Sequence, residues 1–461
     1  MAQLFKLDFR NKLILLIFSL LLVTGCRDWA VDPEVRFGLI MLIAIVSFIT
    51  IFTKPIIGVY AVAIISTAFS PPINIGFANL YFHQWVILIA LLASISSGLI
   101  LQNFHTNIKS ELNLPMIVFI GSLLLSMSHA PHMVTGIKSF LYVGVLVASY
   151  YLVLLCVNSE KQIKMFIGLL VIATSVVCLI SLQYHSSGRL GSLVLRNPNS
   201  FGNFLALVIP FSLSLVVFGR FERGKKSLIA CSLILTFISL VFTFSRSAWF
   251  GVFVSISCLC VLKPRASVFL LIFVIISGVF LFSPIKKRVF KDISDPGAQY
   301  RVIKAKIALN KFKENPLLGS GLGSFHYEAQ FSEVWAYRAH STLENNYLVL
   351  LAEGGLIEFF AFLYLIIALG KKVLSLLKRI RDPFLHPVLL GCITSIVSTL
   401  AAGMFEDTLF FPKNNWLIGI FMGIIVVVER IYRESLTTAE TTEVEVEGKE
   451  RILTNGHSLE P

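Results

Sequence analysis

A chain of 461 residues that is 56% hydrophobic, with a mean hydropathy of +0.82, is too apolar for a soluble domain, which runs at about 45–50% apolar. Its formal charge of +13 does not mark a nucleic-acid binder. The basic residues sit in the breaks between apolar runs, where topology and anionic lipid account for them.

The apolar excess is gathered into nearly uncharged runs of about 15–22 residues, the length a helix needs to cross a bilayer. Lipid offers no partner to a free backbone N–H, so each run is expected to be helical. The fold class that follows is all-α, a polytopic transmembrane helical bundle of about 12–14 spans.

The basic N-terminus, MAQLFKLDFRNK, leads into a first apolar run from Leu13 to Gly25. That run ends in LVTGC, which has the layout of a lipoprotein processing site at Cys26, although a plain first membrane helix explains it equally. Further spans are expected at 37–53, 56–70, 84–102, 114–128, 136–157, 164–182, 201–218, 227–243, 247–262, 268–283, 346–369, 386–402 and 415–432. The neighbours 37–53 and 56–70 are short enough to form one broken unit. All seven cysteines lie in or beside apolar runs, with neither a disulfide framework nor a CxxC spacing.

Lys and Arg in the short loops set the orientation. With the N-terminus in the cytoplasm, alternate loops carry Lys54, Lys109, Lys161 and Lys164, then Arg220, Arg223, Lys225 and Lys226, then Lys263 and Arg265, then Lys371 to Arg381. The opposite loops, such as PPINIGFANLYFHQ and GMFEDTLFFPKNN, are almost free of positive charge. Both termini are therefore expected in the cytoplasm. The chain divides into membrane helices at 1–283, a long outward-facing loop at 284–345, membrane helices at 346–433, and a tail at 434–461. The tail is rich in Thr, Glu and Ser and poor in aromatics, and is expected to be disordered.

A few cations fall on the outer side against this bias: Arg189 and Arg196 in GRLGSLVLRNPNSFGN and Arg246 in the tight turn FTFSRSAWFG. Arg301 and Arg338 lie in the long loop, which can translocate regardless of charge. An arginine at a membrane edge is costly and tends to face a cavity or a partner. Its planar fork matches phosphate oxygens two at a time, so arginines converging on one outer cavity fit a diphosphate. Snorkelling to headgroups, or a pair with an acid, is the bland alternative for Arg246.

Within the loop, RVIKAKIALNKFKEN reads as an amphipathic helix, with Val302, Ile307, Ala308 and Phe312 on one side and Lys304, Lys311 and Lys313 mostly on the other. Next comes PLLGSGLGSF, a glycine-rich stretch that can be plain loop or a weak phosphate cradle. His340 has a near-neutral side chain suited to removing a proton from a sugar hydroxyl. If the chain is helical there, Glu344 lies one turn on and can orient the ring. The outer loops hold no His cluster and no DxD, so a metal site is not expected.

Taken in order, GRLGSLVLRNPNSFGNFLALVIP, FTFSRSAWFG, QYRVIKAKIALNKFKENPLLGSGLGSF and HSTLENNYLVLLAEGGLIEF resemble stretches of the bacterial O-antigen ligase and polymerase superfamily. The resemblance spans about residues 180–370, with Asn199, Asn345, Tyr347, Glu353 and Gly354 at motif positions. It implies an inner-membrane enzyme whose long loop is periplasmic. Such an enzyme moves a glycan from an undecaprenyl-diphosphate carrier to an acceptor hydroxyl, on lipid A core for ligases or on another repeat unit for polymerases. It uses no cofactor or metal, and its partners are lipid-linked glycans and membrane lipid rather than nucleic acid. Carried over, Arg189 and Arg246 hold the diphosphate, with Arg196 and Arg301 as secondary candidates, and His340 is the base. Glu344 stands where many ligases have His, which makes its carboxylate an alternative base. Glu358 stands where the second glycine of a Gly-x-x-Gly is usual. A flippase or transporter of a polyprenyl-linked or anionic solute also wants outer arginines, and a third class is a non-catalytic assembly scaffold, in which the arginines would be dispensable. A transporter would show charged or broken segments at mid-membrane.

Overall fold

The computed structural model describes residues 48–68, 72–74, 79–100, 108–183, 185, 189–192, 197–269, 272–273, 296–329, 331, 342–410 and 414–456. The first apolar run with Cys26, most of the expected span 268–283, and Arg196, Arg338 and His340 lie outside these residues. The chain is an all-α polytopic bundle. Its helices are α1 (Ile56–Ala68), α2 (Phe82–Ile100), α3 (Asn113–Ser128), α4 (Met133–Cys156), α5 (Glu160–Gln183), α6 (Pro198–Phe218), α7 (Arg223–Thr243) and α8 (Arg246–Leu262). After the described break come α9 (Pro296–Glu314), α10 (Ser324–Ala329), α11 (Asn346–Arg379), α12 (Leu385–Ala402) and α13 (Asn415–Gly456). One small antiparallel pair, β1 (Pro72–Asn74) with β2 (Asn79–Tyr81), joins α1 to α2 in the register Pro72 to Tyr81.

Among the described residues, seven helices are long and apolar enough to cross a membrane, and α1, α2, α3 and α8 are shorter apolar helices. Their ranges follow the apolar runs, because burying every backbone N–H within its own segment leaves helix as the one local solution in lipid. Side chains such as Leu92, Leu114, Ile117 and Ile234 remain exposed on the bundle's outside, as a lipid-facing surface requires.

α6 is the axis of the arrangement. Nearly all its side chains are buried, and it packs on α7, α8 and α12. α8 crosses α12 at Gly251, where a Cβ would sit 2.6 Å from the Ser398 carbonyl oxygen. Small residues allow such backbone contact in membranes. At the end where α11 finishes, Lys372 pairs with Glu429 of α13 and lies 3.5 Å from Glu111. Arg430 of α13 donates to the Leu154 carbonyl 3.1 Å away, capping α4.

Two expectations are modified. The helix of α13 continues to Gly456, where the composition predicts an unstructured tail. An existing helix propagates more readily than a new one nucleates, and no proline interrupts this segment. In α9 the buried positions are Lys304, Ala308 and Lys311, whereas Val302, Ile303 and Leu309 are exposed. The basic stripe, not the apolar one, faces the protein, because acidic partners wait beneath it.

Candidate functional site

α6, α8 and α11 all begin at one end of the bundle. Asn197 caps α6, its side-chain oxygen accepting from Asn199 N at 2.9 Å, and Pro198 fills the first turn. This presents the Asn199 side chain. Its Nδ2 donates to both Glu406 oxygens, at 3.1 and 3.3 Å, and its Oδ1 accepts from an Arg189 Nη2.

Arg189 also donates from Nε to the Thr243 carbonyl at 2.9 Å and from Nη2 toward that of Phe244 at 3.4 Å. These carbonyls end α7, where the helix dipole favours a cation. Phe244 takes a left-handed conformation, φ 48, which reverses the chain so that α8 starts two residues later at Arg246, whose side chain is exposed. Two arginines 57 positions apart thus attend one turn.

Asn345 caps α11 by accepting from Leu348 N at 2.9 Å, and its Nδ2 donates to Met404 O at 2.8 Å. Buried Asn346 donates from its backbone to Gly403 O at 2.8 Å, and its Oδ1 accepts from Thr408 N and Leu409 N at 3.0 and 3.1 Å. The Tyr347 hydroxyl donates to Leu400 O at 2.7 Å. Asn345 and Asn346 therefore pin the segment after α12, Tyr347 pins the last turn of α12 itself, and Glu406 is held against α6.

α9 closes the cluster. Arg301 Nε donates to Glu344 Oε2 at 2.6 Å, and its Nη2 lies 4.0 Å from Glu406 Oε2. Buried Lys304 donates to Thr342 O at 2.8 Å and lies 3.6 Å from Glu344 Oε1. Glu344 itself sits at φ 55, a conformation that costs a non-glycine residue free energy. Two turns further along α9, Lys311 pairs with Glu328 of α10. The result is a continuous chain from Arg189 through Asn199, Glu406, Arg301 and Glu344 to Lys304.

Electrostatics follow from burial. The Glu406 carboxyl is raised to about 7, first by desolvation and then by the Glu344 charge, against the pull of Asn199 and the arginines. Desolvation likewise raises Asp407 to about 7, although its carboxylate accepts from Phe410 N at 3.2 Å. Burial lowers the Lys304 ammonium, with Glu344 opposing that shift.

A family model described as O-antigen ligase matches residues 231–363. Over these residues the chain is similar to that family. Comparison with curated proteins gives no match. The matched segment runs from within α7 into α11 and includes Arg246, Arg301, Glu344, Asn345 and Tyr347. Arg189, Asn199 and Glu406 lie outside it and are drawn to it by the hydrogen bonds above.

Within the matched segment, Glu353 ties two elements together. The Glu353 carboxylate accepts from Gly323 N at 2.8 Å and Phe325 N at 3.0 Å, tying the start of α10 to α11. Gly355, at φ 65 and ψ −162, kinks α11 where a Cβ would lie 2.4 Å from the Leu317 carbonyl oxygen. The glycine-rich stretch is used the same way. At φ 69, Gly319 presses on the Glu353 carbonyl, with room for a Cβ only 2.5 Å away. These glycines serve backbone packing, and no anion is needed to explain them. Among the described residues no group of His, Cys, Asp and Glu has metal-binding geometry.

Of the sequence candidates, Arg189, Asn199, Arg301, Glu344 and Asn345 meet directly or through one intermediate, and Arg246 joins them at the Phe244 turn. Sequence reasoning missed Glu406, Asp407 and the inward role of Lys304. Two adjacent acids in an outer loop between spans were the available signal, read only as a shortage of positive charge.

Proposed function

We propose that this protein transfers a glycan from an undecaprenyl-diphosphate carrier to an acceptor hydroxyl at the periplasmic face of the bacterial inner membrane. The observation that carries this reading is the gathering of Arg189, Arg246 and Arg301 at one end of the bundle, around helix starts and a carboxylate hub. In this mechanism the arginines bind the diphosphate and stabilise the charge that builds on it as the glycosidic bond to phosphate breaks. The acceptor hydroxyl attacks the anomeric carbon, and a base takes its proton. Both Glu344 oxygens face cations, Arg301 at 2.6 Å and Lys304 at 3.6 Å. With both of its oxygens engaged, Glu344 holds Arg301, and His340 takes the proton.

A ligase and a polymerase share this chemistry and differ in the acceptor. The deciding experiment is a deletion strain complemented with wild type, His340→Ala or Glu344→Gln, read by lipopolysaccharide gel and by assay of secreted polymer. Loss of all long chains with accumulation of lipid-linked polymer identifies a ligase. Single repeats on core identify a polymerase. Loss of a secreted polymer alone assigns an exopolysaccharide acceptor. Full rescue by His340→Ala removes the base assignment, and an unchanged envelope in the deletion strain removes the transferase reading.

A further inference from the structure

We infer that Glu406 is a positioning residue that sets how much of Arg301 and Arg189 is available to an anionic donor. This inference rests on the diphosphate reading above. Glu406 touches both halves of the cluster. Through Asn199 Nδ2, at 3.1 and 3.3 Å, it holds the amide whose Oδ1 accepts from Arg189. On its other side Arg301 Nη2 lies 4.0 Å away. Glu406 therefore stands between the two guanidinium groups that would bridge a diphosphate.

The position has an internal cost. Its side chain is 15% exposed and shares its surroundings with Glu344 at 23% exposure. Arg301 is engaged at 2.6 Å by Glu344, so it neutralises Glu406 only at longer range. The other charges bearing on this carboxyl are Arg189 behind Asn199, Lys304 beside Glu344, and Asp407 on its own loop. While Glu406 is protonated, the Nη2 side of Arg301 meets a neutral group and can turn to a phosphate oxygen. Once Glu406 is ionised, it competes with the donor for Arg301 and, through Asn199, for Arg189. Burial sets the midpoint of this change near neutral pH, at about 7. Asn199 continues to donate to either form, so the scaffold is kept while the charge changes.

The test is binding of inorganic pyrophosphate to the full-length protein in lipid nanodiscs at pH 6 and pH 8, for wild type, Glu406→Gln, Glu406→Asp and Asp407→Asn. The glutamine keeps an oxygen for Asn199 and cannot ionise. Comparing variants at one pH cancels the probe's own ionisation. Wild type and Glu406→Gln are expected to bind alike at pH 6. At pH 8, one pH unit above the midpoint, wild type is expected to bind about tenfold more weakly than Glu406→Gln. Glu406→Asp retains an acid and is expected to stay pH-sensitive, which a loss of fold would not reproduce. The same affinity ratio at both pH values overturns the inference and leaves the diphosphate reading standing. So does a pH-sensitive gap that Asp407→Asn abolishes and Glu406→Gln does not. Absence of binding by every form at both pH values overturns the diphosphate reading and the inference together.

Discussion

Arg301 shows how one side chain can be visible in a sequence while its role is not. Its charge in an outer loop marked it as an anion ligand, and in the structure that charge is balanced by Glu344 and approached by Glu406. The partners lie 43 and 105 positions away, beyond the reach of any local pattern. The carboxyls carry their own signature. Glu406 and Asp407 are raised to about 7 from ordinary values of 4.5 and 3.8, so the folded protein holds these protons more tightly than the unfolded chain. Linkage then makes their contribution to stability greatest at acid pH, falling as pH rises from about 4 to about 7 and level above that. Thermal unfolding in detergent should therefore occur at lower temperature at pH 7.5 than at pH 5. Glu406→Gln should narrow that gap. A gap unchanged by the substitution would contradict the burial of an ionisable group at 406.

At the scale of elements, the long apolar runs were legible because a helix in lipid must satisfy its own backbone. The expected spans at 201–218, 227–243, 247–262 and 386–402 agree with α6, α7, α8 and α12 to within a few residues. The face of α9 was not legible. Apolar periodicity turns Val302 inward, but charge pairing buries Lys304 and Lys311 instead. Burying a charge is tolerated only where a partner is supplied, and Glu344 and Glu328 supply it. The kink in α11 also escaped the pattern, since Gly354 and Gly355 look alike in sequence. Gly355→Ala is expected to destabilise the protein by about 1–3 kcal/mol, because ψ −162 at positive φ is essentially restricted to glycine. The Leu317 carbonyl in the way of a Cβ adds to that cost. Gly370, which has open space around it, is the control, and an equal loss from Gly370→Ala and Gly355→Ala in a detergent melt would contradict the kink's role.

For the whole molecule, the membrane bundle is a frame that brings helix starts from distant parts of the chain to one end. The segment matched by the O-antigen ligase family model, residues 231–363, supplies Arg246, Arg301 and Glu344. The bundle adds Arg189 and Asn199 ahead of it and Glu406 behind it. The most direct test of the account is glycan transfer by the purified protein in nanodiscs. The donor is a labelled glycan on undecaprenyl diphosphate, offered with lipid A core or with a second donor molecule as acceptor. Wild type is predicted to release undecaprenyl diphosphate and extend one of these acceptors, and Arg246→Ala to do so about 100-fold more slowly while remaining folded, the scale of losing one stabiliser of developing charge. An undiminished rate from folded Arg246→Ala, or no transfer by wild type to either acceptor, would contradict the account.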